Sequence, residues 1–306
     1  MAELPMVTDY TDAIQDSGCI LVPKLKGGSV QRTRSGRPIQ YSGGFAAVYP
    51  YAVQGKKYAV RCWFSSIDNA VEQSRKVSEI LKKTKLPYFV EFEVIDDGIL
   101  TTKGKQPVVI MDWCNHALLK EYIEEHLNNP QKILELAESF LNMAKDLHAN
   151  KIAHGDLQHG NIKVSPQGKI VLVDYDSICT PELEGQKEEI KGQKGYQHPG
   201  RFSNKLTTIK ADYFSELIIY TCIVALSENK NLWNELNVVN QDYLLFSQDD
   251  LDTKGHAEIF QKLKALPKAG PLSEKIIEFL NRPFNQLEPL EDAIIDKRKV
   301  LIEGGF

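Results

Sequence analysis

The stretch HGDLQHGNIKVSPQGKIVLVDYD, residues 154–176, gathers the side chains best suited to chemistry. Asp156 and Asp174 are carboxylates and Asn161 is an amide. Between Asn161 and Asp174 the residues read as a short hairpin: IKV, a turn through SPQG, then KIVLV. A hairpin folds the start of its first strand back beside the end of its second. Asn161 and Asp174, thirteen positions apart, are therefore expected to be spatial neighbours. An amide oxygen and a carboxylate are hard donors that suit Mg2+ and leave positions for water and nucleotide phosphates. Asp156, on the same polar loop, is expected to face an acceptor hydroxyl. Phosphoryl transfer asks for positioning and charge neutralisation more than covalent help, so these three residues supply a minimum set for it. Each alone would be read as the cap of a turn or strand end; the three in this order carry the chemical reading.

The flanking elements must position that loop. Upstream, FAAVYPYAV and YAVRCWF are β-rich runs joined through QGKK as a hairpin, and a glycine pair, Gly43 and Gly44, opens it. Residues 67–83 place Val71, Val77, Ile80 and Leu81 at helical intervals, and further strands are predicted over 89–95 and 108–113. After Asn115 the pattern turns helical: LLKEYIEEHL and ILELAESFLNMAKDLH carry apolar residues three and four apart, with Pro130 near the second helix start. Residues 1–40 mix Gly, Ser, Pro and basic residues without clear period and read as an extension draped over a domain. The expected fold class is α+β: a small β-rich lobe with one helix over 41–114 and a mainly helical lobe over 115–306.

Composition narrows the function classes. The 306 residues include 42% apolar side chains, enough for a sizeable core, and the net charge of -4 makes no general case for nucleic acid. No acidic residue lies between Asp16 and Asp68, whereas Lys24, Lys26, Arg32, Arg34, Arg37, Lys56, Lys57 and Arg61 do. That stretch reads as a solvated cationic surface or as one that faces phosphates. The cysteines, at 19, 62, 114, 179 and 222, are scattered and odd in number, which reads as reduced thiols. The longest uncharged apolar run, Leu217 to Leu226, is too short to span a bilayer, and the N-terminus lacks the pattern of a leader, so a cytoplasmic location is expected.

HGDLQHGN resembles the catalytic loop of eukaryotic-like protein kinases and VDYD their metal-binding DFG region. In that resemblance YSGGFAAV is the glycine-rich loop, YAVR the strand-three motif, IMDWC the approach to the hinge and KADYFS the Asp-bearing start of a long buried helix. It covers residues 41 to about 230 and implies a bilobal fold with an ATP cleft between the lobes. More narrowly, DYTDAIQDS, DLQHGN, VDYDS and GYQHPGR resemble a bacterial kinase-like family associated with von Willebrand A-type proteins and protein phosphatases, which are the implied partners. The resemblance implies that the Gly43 and Gly44 backbone approaches the phosphates and that the hinge backbone over Asp112 to Cys114 holds adenine. It places Met111 as gatekeeper, and Val48, Ala59 and Arg61 complete the implied nucleotide-binding set. Asp212 is implied to anchor the catalytic-loop backbone and His154 to pack beneath it.

The chain departs from the pattern in four ways. Arg61 stands where kinases place a lysine against the phosphates, and its planar fork is not an equivalent; its implied partner is Glu72 or Glu79. Gln158 replaces a lysine of Ser/Thr kinases. Gly155 stands where regulated kinases carry an arginine that receives a phosphate on the activation segment. Asp176, Gly200 and Gln193 replace the DFG glycine, the APE glutamate and a threonine, with Asp176 either a further magnesium ligand or a turn residue. A zinc site from His148, His154, His159 and His198 is not expected. The resemblance implies MgATP-dependent transfer to Ser or Thr of a protein. A nucleotide-binding pseudokinase scaffold and a small-molecule kinase are the competing functions.

Overall fold

The computed structural model describes residues 4–65 and 70–295. The chain divides into two compact units, Met1–Asn115 and His116–Phe306. The first is strand-rich and the second helical, which is the α+β architecture of a bilobal protein-kinase fold.

In the first unit helix α1 (Val7–Ala13) precedes strands β1 (Ser29–Val30), β2 (Tyr41–Ser42), β3 (Ala46–Val53) and β4 (Lys56–Trp63). Helix α2 (Ala70–Thr84), β5 (Phe92–Thr101) and β6 (Gly104–Asp112) complete it. The sheet order is β1-β3-β4-β6-β5, with β2 also on β3. Gln54 and Gly55, both at positive φ, close the β3–β4 hairpin in the two-residue turn whose twist matches its strands. β5 and β6 extend towards one another well beyond the predicted 89–95 and 108–113. The polar run Asp96-Asp97-Gly98 hides the continuation in the sequence, and a bulge between Ile95 and Ile99 keeps the apolar alternation in register after it. Residues 67–69 of the predicted helix lie outside the described residues.

Cross-strand partners share a face, so the register sorts the side chains. Ala47, Tyr49, Val60, Cys62, Val108 and Ile110 occupy one face. The N-terminal segment covers it with Tyr10, Ile14, Ile20, Val22, Leu25 and Val30, all buried in the same core. Tyr10 donates its hydroxyl to the Trp63 carbonyl at 2.9 Å, and Thr11 Oγ1 meets Tyr49 Oη at 2.9 Å. The segment is thus a large part of the core on this face of the sheet. Its apolar residues show no period because the path changes from helix to 3-10 turn to strand within them. Leu25→Ala is accordingly expected to cost about 2–5 kcal/mol of stability in urea unfolding, as a buried core truncation does.

In the second unit β7 (Ala117–Leu118) leads into α3 (Leu119–His126) and α4 (Pro130–Ala149). Asn129 caps α4 by accepting from the Lys132 amide, with Pro130 at the first helical position. β8 (Ile162–Val164) and β9 (Ile170–Leu172) form the predicted hairpin, and β7 pairs with β8. Helix α5 (Tyr213–Glu228) is apolar almost all round and lies buried as such a helix must. The short α6 (Leu232–Glu235), α7 (Gln248–Asp252) and α8 (Glu258–Lys264) lead to α9 (Ala269–Leu280), which packs on α5, and to α10 (Leu290–Ala293). No helix among the described residues is long and apolar enough to cross a membrane.

His148 joins three of these helices. Its Nε2 meets Glu216 on α5 at 2.9 Å and its Nδ1 meets Glu291 on α10 at 2.8 Å. Burial disfavours the imidazolium, but the Glu216 and Glu291 carboxylates outweigh it and hold the His148 pKa up at about 9. A group whose pKa is raised on folding contributes stability below its unfolded value near 6.5, and that contribution is lost as pH rises through about 9. Thermal unfolding from pH 6.5 to pH 9.5 is expected to show a falling Tm that His148→Gln flattens.

Candidate active site

Asp212, one residue ahead of α5, holds the catalytic loop from below. Its Oδ2 accepts from the His154 amide and its Oδ1 accepts from the Gly155 amide at 3.0 Å. The His154 imidazole Nε2 meets the Val173 carbonyl at 3.0 Å, tying the loop to the end of β9. Gly155 has φ +80, and a Cβ there would stand 2.0 Å from the Ser177 carbonyl oxygen. The arginine of regulated kinases therefore has no room at this position in this backbone.

Asn161 is buried at the foot of β8. Its Nδ2 donates to the Asp156 carbonyl at 2.8 Å and to Asp156 Oδ2 at 3.2 Å, which turns Oδ1 away from Asp156. The Val173 amide donates to the Asn161 carbonyl at 2.9 Å, one step beyond the Ile162–Leu172 pair. The hairpin thereby brings Asn161 beside Val173 and Asp174, as the thirteen-residue spacing required. Asp174 is exposed and sits at φ +68, a left-handed conformation that Asp tolerates and that recurs at functional sites. The donors fit Mg2+: an amide oxygen from Asn161 and a carboxylate from Asp174, with phosphates and water to fill the shell. Among the described residues no group of three or more His, Cys, Asp and Glu side chains could hold a metal ion. His159 bonds to Tyr196 and His198 to the Phe279 carbonyl.

Asp156 accepts from the Gln193 amide at 2.8 Å through Oδ1. Burial raises its pKa above the ordinary carboxylate value, and the Gln193 hydrogen bond opposes that only in part. A partly desolvated carboxylate with raised basicity suits a group that takes or orients a hydroxyl proton. Gln158 accepts from the Gly160 amide and so caps the 3-10 turn His159–Asn161 of its own loop.

In the first unit the register places Val48 opposite Arg61 and Ala59 opposite Met111. These four side chains share the face of the sheet that the N-terminal segment does not cover. Arg61 lies with its guanidinium 5.7 Å from the Trp63 ring centroid. Glu72 pairs along α2 with Arg75 and Lys76, and Glu79 lies exposed. The Asp112 side chain pairs with Lys56 at 3.1 Å, and Cys114 is half-buried. A Cβ on Gly43 or Gly44 would meet no protein atom within 4 Å, and neither glycine has positive φ. No neighbouring protein atom and no left-handed φ therefore demands glycine at either position.

Neither the ion pair Glu188–Arg201 nor the Lys191 contacts are legible in the residue pattern, because KEEIKG reads as a solvated charge run. The His159–Tyr196 bond at 2.8 Å is a further link between the catalytic loop and the segment after it, and histidine spacing alone did not signal it.

A family model described as protein kinase domain matches residues 42–287. The chain is 22% identical over 260 residues to the interferon-induced, double-stranded RNA-activated protein kinase of Rattus norvegicus, covering 78% of this chain and 50% of that protein. It is 25% identical over 211 residues to the mitosis inhibitor protein kinase SWE1 of Saccharomyces cerevisiae, covering 63% and 26%. It is 26% identical over 206 residues to the inhibitor of nuclear factor kappa-B kinase subunit alpha of Gallus gallus, covering 60% and 25%. The chain thus spans half or less of the length of these relatives. With the match running from the glycine pair through the hairpin of β8 and β9 to the end of α9, the chain belongs to the protein kinase domain family.

Proposed function

We propose that the chain transfers the γ-phosphoryl group of MgATP to a hydroxyl, that of Ser or Thr on a protein. The observation that carries this reading is Asn161, whose side-chain amide donates to Asp156 and whose backbone carbonyl accepts from Val173, the neighbour of Asp174. Magnesium bound by Asn161 and Asp174 would neutralise phosphate charge. Asp156 orients the acceptor hydroxyl and takes its proton as the new P–O bond forms and ADP leaves. Asp212 and His154 keep the loop in place. Val48, Ala59, Arg61 and Met111 on the sheet face opposite the N-terminal segment, the Gly43–Gly44 backbone and the backbone from Asp112 to Cys114 bind the nucleotide in this reading.

The test is incubation with γ-labelled ATP and candidate acceptors, von Willebrand A-type proteins and protein phosphatases among them. Mg-dependent label transfer that disappears in Asp156→Asn supports the reading. Label undiminished in that variant removes Asp156 from the mechanism.

A second reading, a nucleotide-binding pseudokinase, is favoured by one observation: Gln158 brings no cation to the transfer site and spends its side chain on Gly160. MgATP at 100-fold its Kd would raise stability by about 2.7 kcal/mol under either reading, so a thermal shift separates both from a scaffold that binds no nucleotide. Only the transfer assay separates them from each other.

A further inference from the structure

Between Asp174 and Gly200 the hydroxyl side chains are Tyr175, Ser177, Thr180 and Tyr196, and residues 181–195 contain none. Tyr175, Thr180 and Tyr196 are buried. A segment of this kind is commonly ordered by an added phosphate that meets arginines. Here the stretch has no fully exposed acceptor for one, Ser177 being half-buried, and Gly155 leaves no arginine on the catalytic loop to receive it.

The stretch is nevertheless pinned along its length. The Glu188 side chain, 4% exposed, accepts from Arg201 Nη2 at 2.7 Å and from Nε at 3.3 Å. Arg201 is fully buried and donates from Nη1 to Gln197 as well. Lys191 Nζ donates to three carbonyls of one turn, those of Arg201 at 3.4 Å, Phe202 at 2.8 Å and Asn204. Backbone bonds join Glu188 to Lys205 and Gln186 to Thr207. Directly after Lys191 comes the turn Gly192–Gln193, whose Gln193 amide donates to Asp156 Oδ1 and whose Gln193 Nε2 donates to the Asp242 carbonyl at 2.7 Å. Gly192 has φ +75, and a Cβ on it would stand 2.7 Å from Asp156 Oδ1, so the turn closes tightly on the carboxylate.

We propose that Glu188 and Lys191 are positioning residues that hold the Gly192–Gln193 turn on Asp156 at all times, so that the acceptor side of the site is ordered without an activating phosphate. The claim about the acceptor rests on the phosphotransfer reading above. Glu188 supplies as a resident carboxylate the negative charge that a phosphate would bring. A buried charge that loses its partner is costly, so Arg201 ties the segment to one arrangement. Lys191 then fixes the register of the chain immediately before the turn.

The experiment uses the full chain, treated with phosphatase until intact mass spectrometry shows no phosphate, beside untreated protein and the variants Glu188→Gln and Lys191→Met. Hydrogen exchange at residues 186–195 needs no acceptor, so it judges the ordering claim whether or not transfer occurs. Protection is expected to be the same with and without phosphatase, and to fall about tenfold in each variant while cooperative unfolding persists. With dephosphorylated casein as acceptor, the variants are expected to raise KM for casein about tenfold and to leave KM for ATP unchanged, a split that loss of global stability does not produce. Loss of protection on phosphatase treatment, or wild-type protection in both variants, overturns the ordering claim. Wild-type casein KM in both variants, or ATP and casein KM rising together, overturns the positioning role. No transfer to any acceptor by untreated protein overturns the phosphotransfer reading and the positioning role with it.

Discussion

Asp156→Asn is expected to slow phosphoryl transfer by about 10²–10⁴-fold, the range a positioned acid–base group contributes, with little change in stability. The asparagine keeps an oxygen for the Gln193 amide and loses the basicity that burial gives the carboxylate. Its new NH2 group stands where Oδ2 now accepts from Asn161 Nδ2, which keeps its stronger bond to the Asp156 carbonyl. The pH dependence follows with a definite sign. Because the Asp156 pKa is raised, wild-type transfer should decline on acidification through a pH above that of an ordinary aspartate. A pH–rate profile from pH 4 to pH 8 checks this, and the same decline persisting in the residual rate of Asp156→Asn would assign it to another group.

Gly155→Arg, which writes the residue of regulated kinases into this loop, is expected to destabilise the chain severely. The left-handed φ of +80 costs a non-glycine residue about 1–3 kcal/mol. The 2.0 Å approach of a Cβ to the Ser177 carbonyl adds overpacking of about 1–3 kcal/mol, because the neighbour is backbone and cannot turn aside. The combined loss of about 2–6 kcal/mol is a large part of what holds a typical domain folded. Urea unfolding of Gly155→Ala and Gly155→Arg measures it, and a loss under about 1 kcal/mol in both would show that the loop relaxes. Gly155 here is therefore a demand of the backbone as well as an absent phosphate receptor.

The catalytic loop was legible in the sequence because its logic is local. A thirteen-residue hairpin span fixes where Asn161 and Asp174 meet, and only the turn chemistry of SPQG has to be recognised to see it. The β3–β4 hairpin was legible for the same reason, and its register carries Val48, Ala59, Arg61 and Met111 to one face together. What escaped was non-local. Tyr10, Ile14, Ile20, Val22, Leu25 and Val30 have no common period, so their shared burial against the sheet follows from tertiary structure alone. Glu188 and Lys191 stand among like and unlike charges in a loop-like run, and a buried ion pair leaves no trace in composition. The His148 bond to Glu291 joins residues 143 positions apart, a separation that no local pattern signals.

Under the proposed function Asp156, Asn161 and Asp174 divide one task, with Asn161 and Asp174 holding the cation of MgATP and Asp156 serving the acceptor. The most direct measurement is calorimetric binding of ATP with and without Mg2+, run beside single-turnover transfer, in the wild type, Asp156→Asn and Asp174→Asn. On this division of the task Asp156→Asn is expected to bind MgATP as the wild type does and to fail in transfer, whereas Asp174→Asn is expected to lose the gain in affinity that Mg2+ brings. Wild-type binding and wild-type transfer in both variants would contradict it.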